Sequence, residues 1–438
     1  MRGIWLTTFL LLTPALPAAA QDAPPPPPPG NNSNDFPPPR MVEGQPVETR
    51  PPEKADDKPL FPEQTRAPFH KAADYNVTTV TDKLHLPWSI AFLPDGRMLV
   101  SEKYPAHLRI VSQDGTLSEP LAGIDMLAPK GKLGVLDVVL APDFAKSRRI
   151  YFSFFETLAQ GNSNTYLAHA VLDEAANAVH DVTVIYRGVP ELPEHNFSMK
   201  QGGRIAFAKD GTLFMTVGDR DGNKVEDYEE AQAQKLDRDV GKIIHLTAEG
   251  APAPDNPFLD KPGVRPEIWA YGIRSPEGLA FDSQGRLWET EHGPRGGDEL
   301  NLIKKGVNYG WPIITHGIDY SGKPLGAGIT AKAGMEQPVY YWDPSSNPAG
   351  MAFYRGNLFP QWKNSLFVAM MNGKFVSRLT IKDNKVVAEE PFLAEMNTRF
   401  RDVKVGPDGA VYVLTDSGTA NINPNSPATT KLLKLTPK

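Results

Sequence analysis

The stretch Pro266–Pro312, PEIWAYGIRSPEGLAFDSQGRLWETEHGPRGGDELNLIKKGVNYGWP, holds the densest set of residues able to do chemistry. Gly293, Gly296 and Gly297, with Pro294 among them, cannot continue a strand and predict a loop with exposed carbonyl oxygens. Asp298 and Glu299 follow at once. Bent-backbone carbonyls beside two carboxylates are ligands that calcium prefers, since a hard cation takes several oxygens in flexible geometry. A solvated acidic turn has the same local pattern. Further on, Arg399 and Arg401 stand one residue apart. Alternation along a strand puts both guanidinium groups on one face.

The elements that must hold these residues follow from a recurring phrase: an apolar strand, an Asp-Gly or similar turn, and a second apolar strand with period-two alternation. It reads in Ser89–Glu102, Ile205–Asp219, Leu279–Glu291 and Val403–Asp416, with looser copies at Leu136–Phe155 and Met351–Val368. Six hairpins at spacings of roughly 45 to 75 residues match propeller blades better than a helical solenoid. A two-sheet sandwich needs shorter, more even spacing. The expected fold is all-β, a six-bladed β-propeller. Helical periodicity is nearly absent, and the polar stretch Tyr228–Leu236 is expected on an excursion between strands.

Residues 1–20 read as an export signal, with Arg2, an apolar run from Ile4 to about Ala15, and Ala18–Ala20 before the expected cleavage point. That run is shorter than the ~20 residues a spanning helix needs. Residues 21–68, with Pro24–Pro29 unbroken, are expected to be an extended or disordered spacer, because such a composition buries no core of its own. Residues 69–438 are then the propeller. The chain has no cysteine, so disulfides, thiolate metal sites and a lipid-anchored cysteine are excluded. A net charge of -6 gives no electrostatic reason for a nucleic acid or anionic membrane partner. A neutral small ligand fits better, and the expected location is periplasmic or secreted.

Longer phrases carry a resemblance. EIWAYGIRSPEGLAF, EHGPRGGDELNLI and NYGWP, together with LPWSIAFLPDGRMLVSEK, LDVVLAPDFA, GGRIAF, DNPF, QPVYYW and RFRDVKVGPDG, run in order from Leu86 to the C-terminus. They resemble the aldose sugar dehydrogenases of the glucose and sorbosone dehydrogenase family, which use pyrroloquinoline quinone (PQQ). The resemblance implies a quinone over one end of the central channel, held by calcium and basic residues, and oxidation of an aldose at its anomeric carbon to the lactone. It places His292 near the cofactor and the carbonyls of Gly293 and Pro294 on its calcium. Glu299 and the carbonyl of Tyr309 match a second, structural calcium. Arg399 and Arg401 match the pair that grips the quinone carboxylates, Arg274 the first residue of an Arg-Asn pair, and Tyr320 an aromatic lining the cofactor.

Other positions depart from the pattern. Lys200 stands where the family has its catalytic histidine, and the nearest histidine is His195. Lys132 replaces a glutamine, Ser275 the asparagine after Arg274, Asn372 a lysine, and Glu277 a glutamine. Lys132 and Lys200 offer charge to an acidic quinone. Ser275 lacks the amide's donor and acceptor pair.

The leading expectation is a calcium- and PQQ-dependent oxidoreductase acting on an aldose, as monomer or homodimer, with an unspecified electron acceptor. The competing expectations are a non-redox propeller that hydrolyses a lactone through a metal-bound water, and a carbohydrate- or protein-binding propeller without chemistry.

Overall fold

The computed structural model describes residues 37–127, 132–157, 162–193, 200–220, 228–416 and 430–438. The expected signal at residues 1–20, the start of the expected spacer and His195 lie outside them.

Six antiparallel sheets form the blades of a propeller. Their inner strands are Pro87–Phe92, Lys132–Leu140, Gly202–Phe207, Pro276–Phe281, Pro348–Phe353 and Arg399–Val405. Each packs on the inner strands of the blades before and after it, and the sixth packs on the first, so the ring is closed. Every inner strand pairs with the next long strand, and these six pairs are the six hairpins read from the sequence. The six-bladed expectation is therefore met.

The second strands Met98–Glu102, Leu213–Val217, Leu287–Glu291, Leu366–Met370 and Val411–Asp416 are buried at every residue. Each blade is covered on both faces by its neighbours, so both sides of the strand face core. Each large apolar side chain buried this way stabilises the fold by ~1.5–3 kcal/mol. The ring is latched by Tyr75–Leu84, which pairs with Thr430–Pro437 as the outermost strand of the sixth blade. Breaking that pairing would free both ends of the ring at once.

Tyr228–Leu236 lies on an excursion between the second and third strands of blade three and forms two short 3-10 turns, Tyr228–Glu230 and Gln232–Gln234. The α-helical content among the described residues is the single turn Phe144–Ser147.

One detail of the inner strands prepares the site. All six carry a register shift: between Pro87 and Ser89, Val135 and Val138, Gly202 and Ile205, Pro276 and Gly278, Pro348 and Met351, and Phe400 and Asp402. A bulge re-aims the side chains beside it and bends the strand. Repeated around the ring, it turns residues at and before the strand starts toward one mouth of the channel.

Residues 37–68 differ from the expectation of a free spacer. Pro46 bridges Pro68, Phe69 bridges Glu389 of the fifth blade, and Val47 and Ala67 are buried. Arg66 donates to the carbonyls of Glu48, Arg50 and Asp343, and Thr65 to that of Tyr341. The segment has no core of its own, as its composition requires, and borrows partners from the propeller.

Candidate active site

The residues before and at the starts of the inner strands converge on one channel mouth. Arg399 and Arg401 open the sixth inner strand and share Asp416, directly across the hairpin from Arg399. Arg401 donates to Asp416 Oδ2 from Nε at 2.8 Å and from Nη2 at 2.5 Å, and its Nη1 lies 3.5 Å from Glu277 Oε2. Arg399 Nε is 3.6 Å from Asp416 Oδ1, and its Nη1 donates to Asn372 Oδ1 at 2.5 Å. Burial pushes the Glu277 carboxyl up, against the pull of Arg401. The two arginines thus share one carboxylate, and Asn372 holds one of them.

Arg274, just before the fourth inner strand, stacks its guanidinium 5.1 Å from the Trp311 ring centroid. Its Nη1 donates to the carbonyls of His292 (2.8 Å) and Gly293 (2.7 Å), and its Nη2 to the Tyr320 hydroxyl (3.2 Å). Ser275 is buried, and its carbonyl accepts from the His292 amide. Burial, reinforced by Arg274 and Arg401, pushes His292 down to about 3, so the ring is neutral at ordinary pH. Tyr320 is exposed.

The glycine loop owes its shape to contacts that only glycine admits. A Cβ on Gly293 would sit 2.2 Å from the Gly296 carbonyl oxygen, and Gly296 and Gly297 adopt φ of +74 and +70. Asp298 is its clasp: Oδ1 accepts from Gly293 N and Ser345 Oγ, and Oδ2 from Ser346 N and Asn347 N, at 2.6–3.0 Å. With both oxygens so engaged, Asp298 organises the loop.

Lys200 Nζ lies 3.7 Å from Asp219 Oδ1. Asp219 accepts from Trp311 Nε1 at 2.6 Å, and its amide donates to the Arg274 carbonyl, which ties Lys200 to the arginine side of the mouth. Lys132 begins the second inner strand, opposite Thr157.

Behind the loop, Glu289, Glu291 and Glu299 surround Asn301, whose Nδ2 donates to all three at 3.2–3.3 Å. Burial and then mutual repulsion raise Glu289 and Glu299 well above the carboxylate range, and burial takes Glu291 to about 7. Glu289 is also close enough to influence the Tyr309 hydroxyl. Glu289 Oε1 and Asn301 Oδ1 are buried without a partner.

The chain matches the family model described as Glucose / Sorbosone dehydrogenase over residues 84–423. It belongs to the glucose/sorbosone dehydrogenase family. It is 42% identical to the aldose sugar dehydrogenase YliI of Escherichia coli, over 81% of this chain and 94% of that one. The apo-form crystal structure of the soluble aldose sugar dehydrogenase from Escherichia coli is 40% identical, covers 83% of this chain and 100% of that one, and superposes with a TM-score of 0.73. The PQQ-bound aldose sugar dehydrogenase of Streptomyces coelicolor is 29% identical, over 83% of this chain and 98% of that one, with a TM-score of 0.65.

Within this sugar dehydrogenase fold, sequence reasoning reached the arginines, His292 and the loop, but not Asp416, Asp219, Trp311 and Asn347. Asn347 Nδ2 lies 3.3 Å from His292 Nδ1. These partners come from other blades or distant loops, and no local spacing marks them. Asp219 and Asp416 do share one signal, each closing the second strand of its hairpin phrase.

Proposed function

We propose that this sugar dehydrogenase family member oxidises an aldose at its anomeric carbon to the lactone, with PQQ and calcium bound at the arginine-lined mouth. One observation carries the reading. Arg274 Nε and His292 Nε2 are buried without hydrogen-bond partners around that mouth, and Arg399 Nε has only the Asp416 carboxylate at 3.6 Å. Leaving a buried donor unpaired costs ~1–3 kcal/mol, or more for a charged group, so three together suit an anionic ligand that supplies the missing partners. The relatives are dehydrogenases, which favours this reading over lactone hydrolysis or a bare binding role.

The donor set fits the cofactors. Arg274, Arg399 and Arg401 would hold the quinone's carboxylates, with Lys132, Ser275, His292, Asn372 and Tyr320 around it. The carbonyls of Gly293 and Pro294 would face its calcium, with Arg274 already on the first of them. The second calcium would take Glu299 and the Tyr309 carbonyl, beside the orphaned oxygens of Glu289 and Asn301. No group of three or more acidic, histidine or cysteine side chains among the described residues forms a ready metal cage, so the ion would have to draw the acidic trio in. When bound, the quinone supplies the two-electron acceptor that no side chain provides. Lys200, whose Nζ lies 3.7 Å from Asp219, is the proposed base for the sugar's hydroxyl proton, a role it can fill only from its neutral form. His195, outside the described residues, is the alternative base. On this reading the first 20 residues are an export signal and the location is periplasmic or secreted; no described helix is long and apolar enough to cross a membrane.

The test is an absorbance titration of purified protein with PQQ, in calcium and in chelator, followed by aldose and an artificial electron acceptor. Saturable binding in calcium, sugar-dependent reduction, and loss of both in chelator are expected. No binding in either condition overturns the reading.

A further inference from the structure

Residues 37–68 precede the region matched by the family model, which begins at residue 84, yet they touch the loops that build the site. Glu53 Oε2 accepts from Arg295 Nε at 2.8 Å and lies 2.6 Å from Arg295 Nη2. The amides of Glu53 and Lys54 donate to the two carboxylate oxygens of Asp343, at 2.9 and 3.2 Å. The backbone of the glycine loop runs directly under this contact: a Cβ on Gly296 would lie 2.3 Å from Asp343 Oδ1 and 3.3 Å from Glu53 Cβ. Lys54 Nζ donates to the Gly328 carbonyl at 2.6 Å. Asp57 Oδ2 is 2.9 Å from His316 Nδ1, with both side chains almost fully buried and the histidine stacked on Tyr341.

Three consecutive contacts therefore reach both walls of the mouth: the loop 292–297, which carries His292, Gly293 and Pro294, and the loop 316–328, which carries Tyr320. Both loops are glycine-rich, with Gly293, Gly296 and Gly297 in one and Gly317, Gly322, Gly326 and Gly328 in the other. Glycine loses the most conformational freedom on ordering, so such loops need outside contacts to keep one shape. The two walls also meet directly, at the mutual backbone pair of Arg295 and Ile318 and where Gly296 and Gly297 pack on Gly317, with Arg274 spanning them from below, and the contacts from residues 53–57 hold this junction from outside. Glu53 also fixes where the charge of Arg295 points. Without that carboxylate, a mobile guanidinium would sit one residue from the Pro294 carbonyl.

We propose that Glu53, Lys54 and Asp57 form a brace that locks the loops 292–297 and 316–328 against each other, making them positioning residues for the ligand those loops hold. The identity of that ligand rests on the functional reading above. The brace itself does not.

The test uses the full chain with Glu53→Gln, Asp57→Asn and the double variant, with Glu53→Asp as the conservative rescue. Hydrogen exchange of the two loops is read in ligand-free protein, and the dissociation constant for PQQ with calcium is read by absorbance. The double variant is expected to speed exchange in both loops by about tenfold or more while the inner strands of blades one to three stay protected. Its dissociation constant should rise by about 10- to 100-fold, the range for losing groups that orient a ligand's direct contacts, and Glu53→Asp should recover most of it. Unchanged loop exchange in the double variant overturns the brace, and so does loosened loops with unchanged affinity. Where the wild-type chain binds no quinone, the exchange measurement still decides the brace, and only the functional reading falls. Should the double variant fail to fold, Lys54→Ala removes one contact and is expected to loosen 316–328 alone. Unchanged exchange there also overturns the proposal.

Discussion

The two ends of the central channel are built from the same six strands and have opposite chemistry. At the strand starts stand Arg274, Arg399, Arg401 and Lys200 with the carboxylates Glu277, Asp219 and Asp416, and several buried nitrogens there lack partners. At the strand ends stand Phe92, Leu140, Phe207, Phe281, Phe353 and Val405, lining a cavity of about 1040 Å³. The aromatic ones also pack between blades: Phe92 on Tyr412, Phe207 on Tyr151, Phe281 on Phe214 and Phe353 on Trp288. One end is thus satisfied by the fold, and the other is left incomplete. A cavity marks open space, whereas buried nitrogens without hydrogen bonds mark a cost that a ligand can repay, so the incomplete end is where function belongs.

The strongest way to break that contrast is at Lys200. Lys200→Ala is expected to lower aldose turnover by ~10²–10⁴, the usual worth of a general acid or base, with quinone affinity kept within a few-fold. Steady-state rates beside a binding titration check it. Turnover that survives moves the base into the segment of His195. Next in size is Arg401→Ala. It takes from Glu277 its arginine partner and leaves Asp416 to Arg399, so quinone binding should weaken by about 2 kcal/mol or more, roughly thirtyfold. Denaturant unfolding should show a loss of stability as well, because breaking a buried pair from one side leaves an uncompensated charge. Intact affinity would remove the arginine pair from the site.

How much of this was legible in the sequence follows from the same contrast. The hairpins were readable because each is local: a turn such as Asp95-Gly96 or Asp408-Gly409 and the strands on either side carry their own signal. The glycine loop was readable for the same reason, since backbone that needs positive φ announces itself at Gly296 and Gly297. What was not readable is non-local. The meeting of Arg401 and Glu277 spans 124 positions, and that of Glu53 and Arg295 spans 242. Asp298 shows a different limit: a carboxylate after a bent loop looks the same whether it binds a cation or four backbone and hydroxyl donors, and only the fold decides. The proline-rich segment misled through its average composition, which says nothing of single residues such as Asp57 that find a buried partner elsewhere.

The smallest expected effect tests the satisfied end. Leu358 lines the cavity at the strand ends and is 39% exposed, so Leu358→Ser removes an apolar side chain that is already partly in water. Stability should change by ~0.5 kcal/mol or less, and both quinone affinity and turnover should stay at the wild-type values. The null effect matters because the cavity is large enough to hold a sugar. If Leu358→Ser lowered turnover while the protein stayed folded, substrate would be entering or binding at the apolar mouth. The unpaired nitrogens at the other end would then mark the cofactor's place alone, not the sugar's.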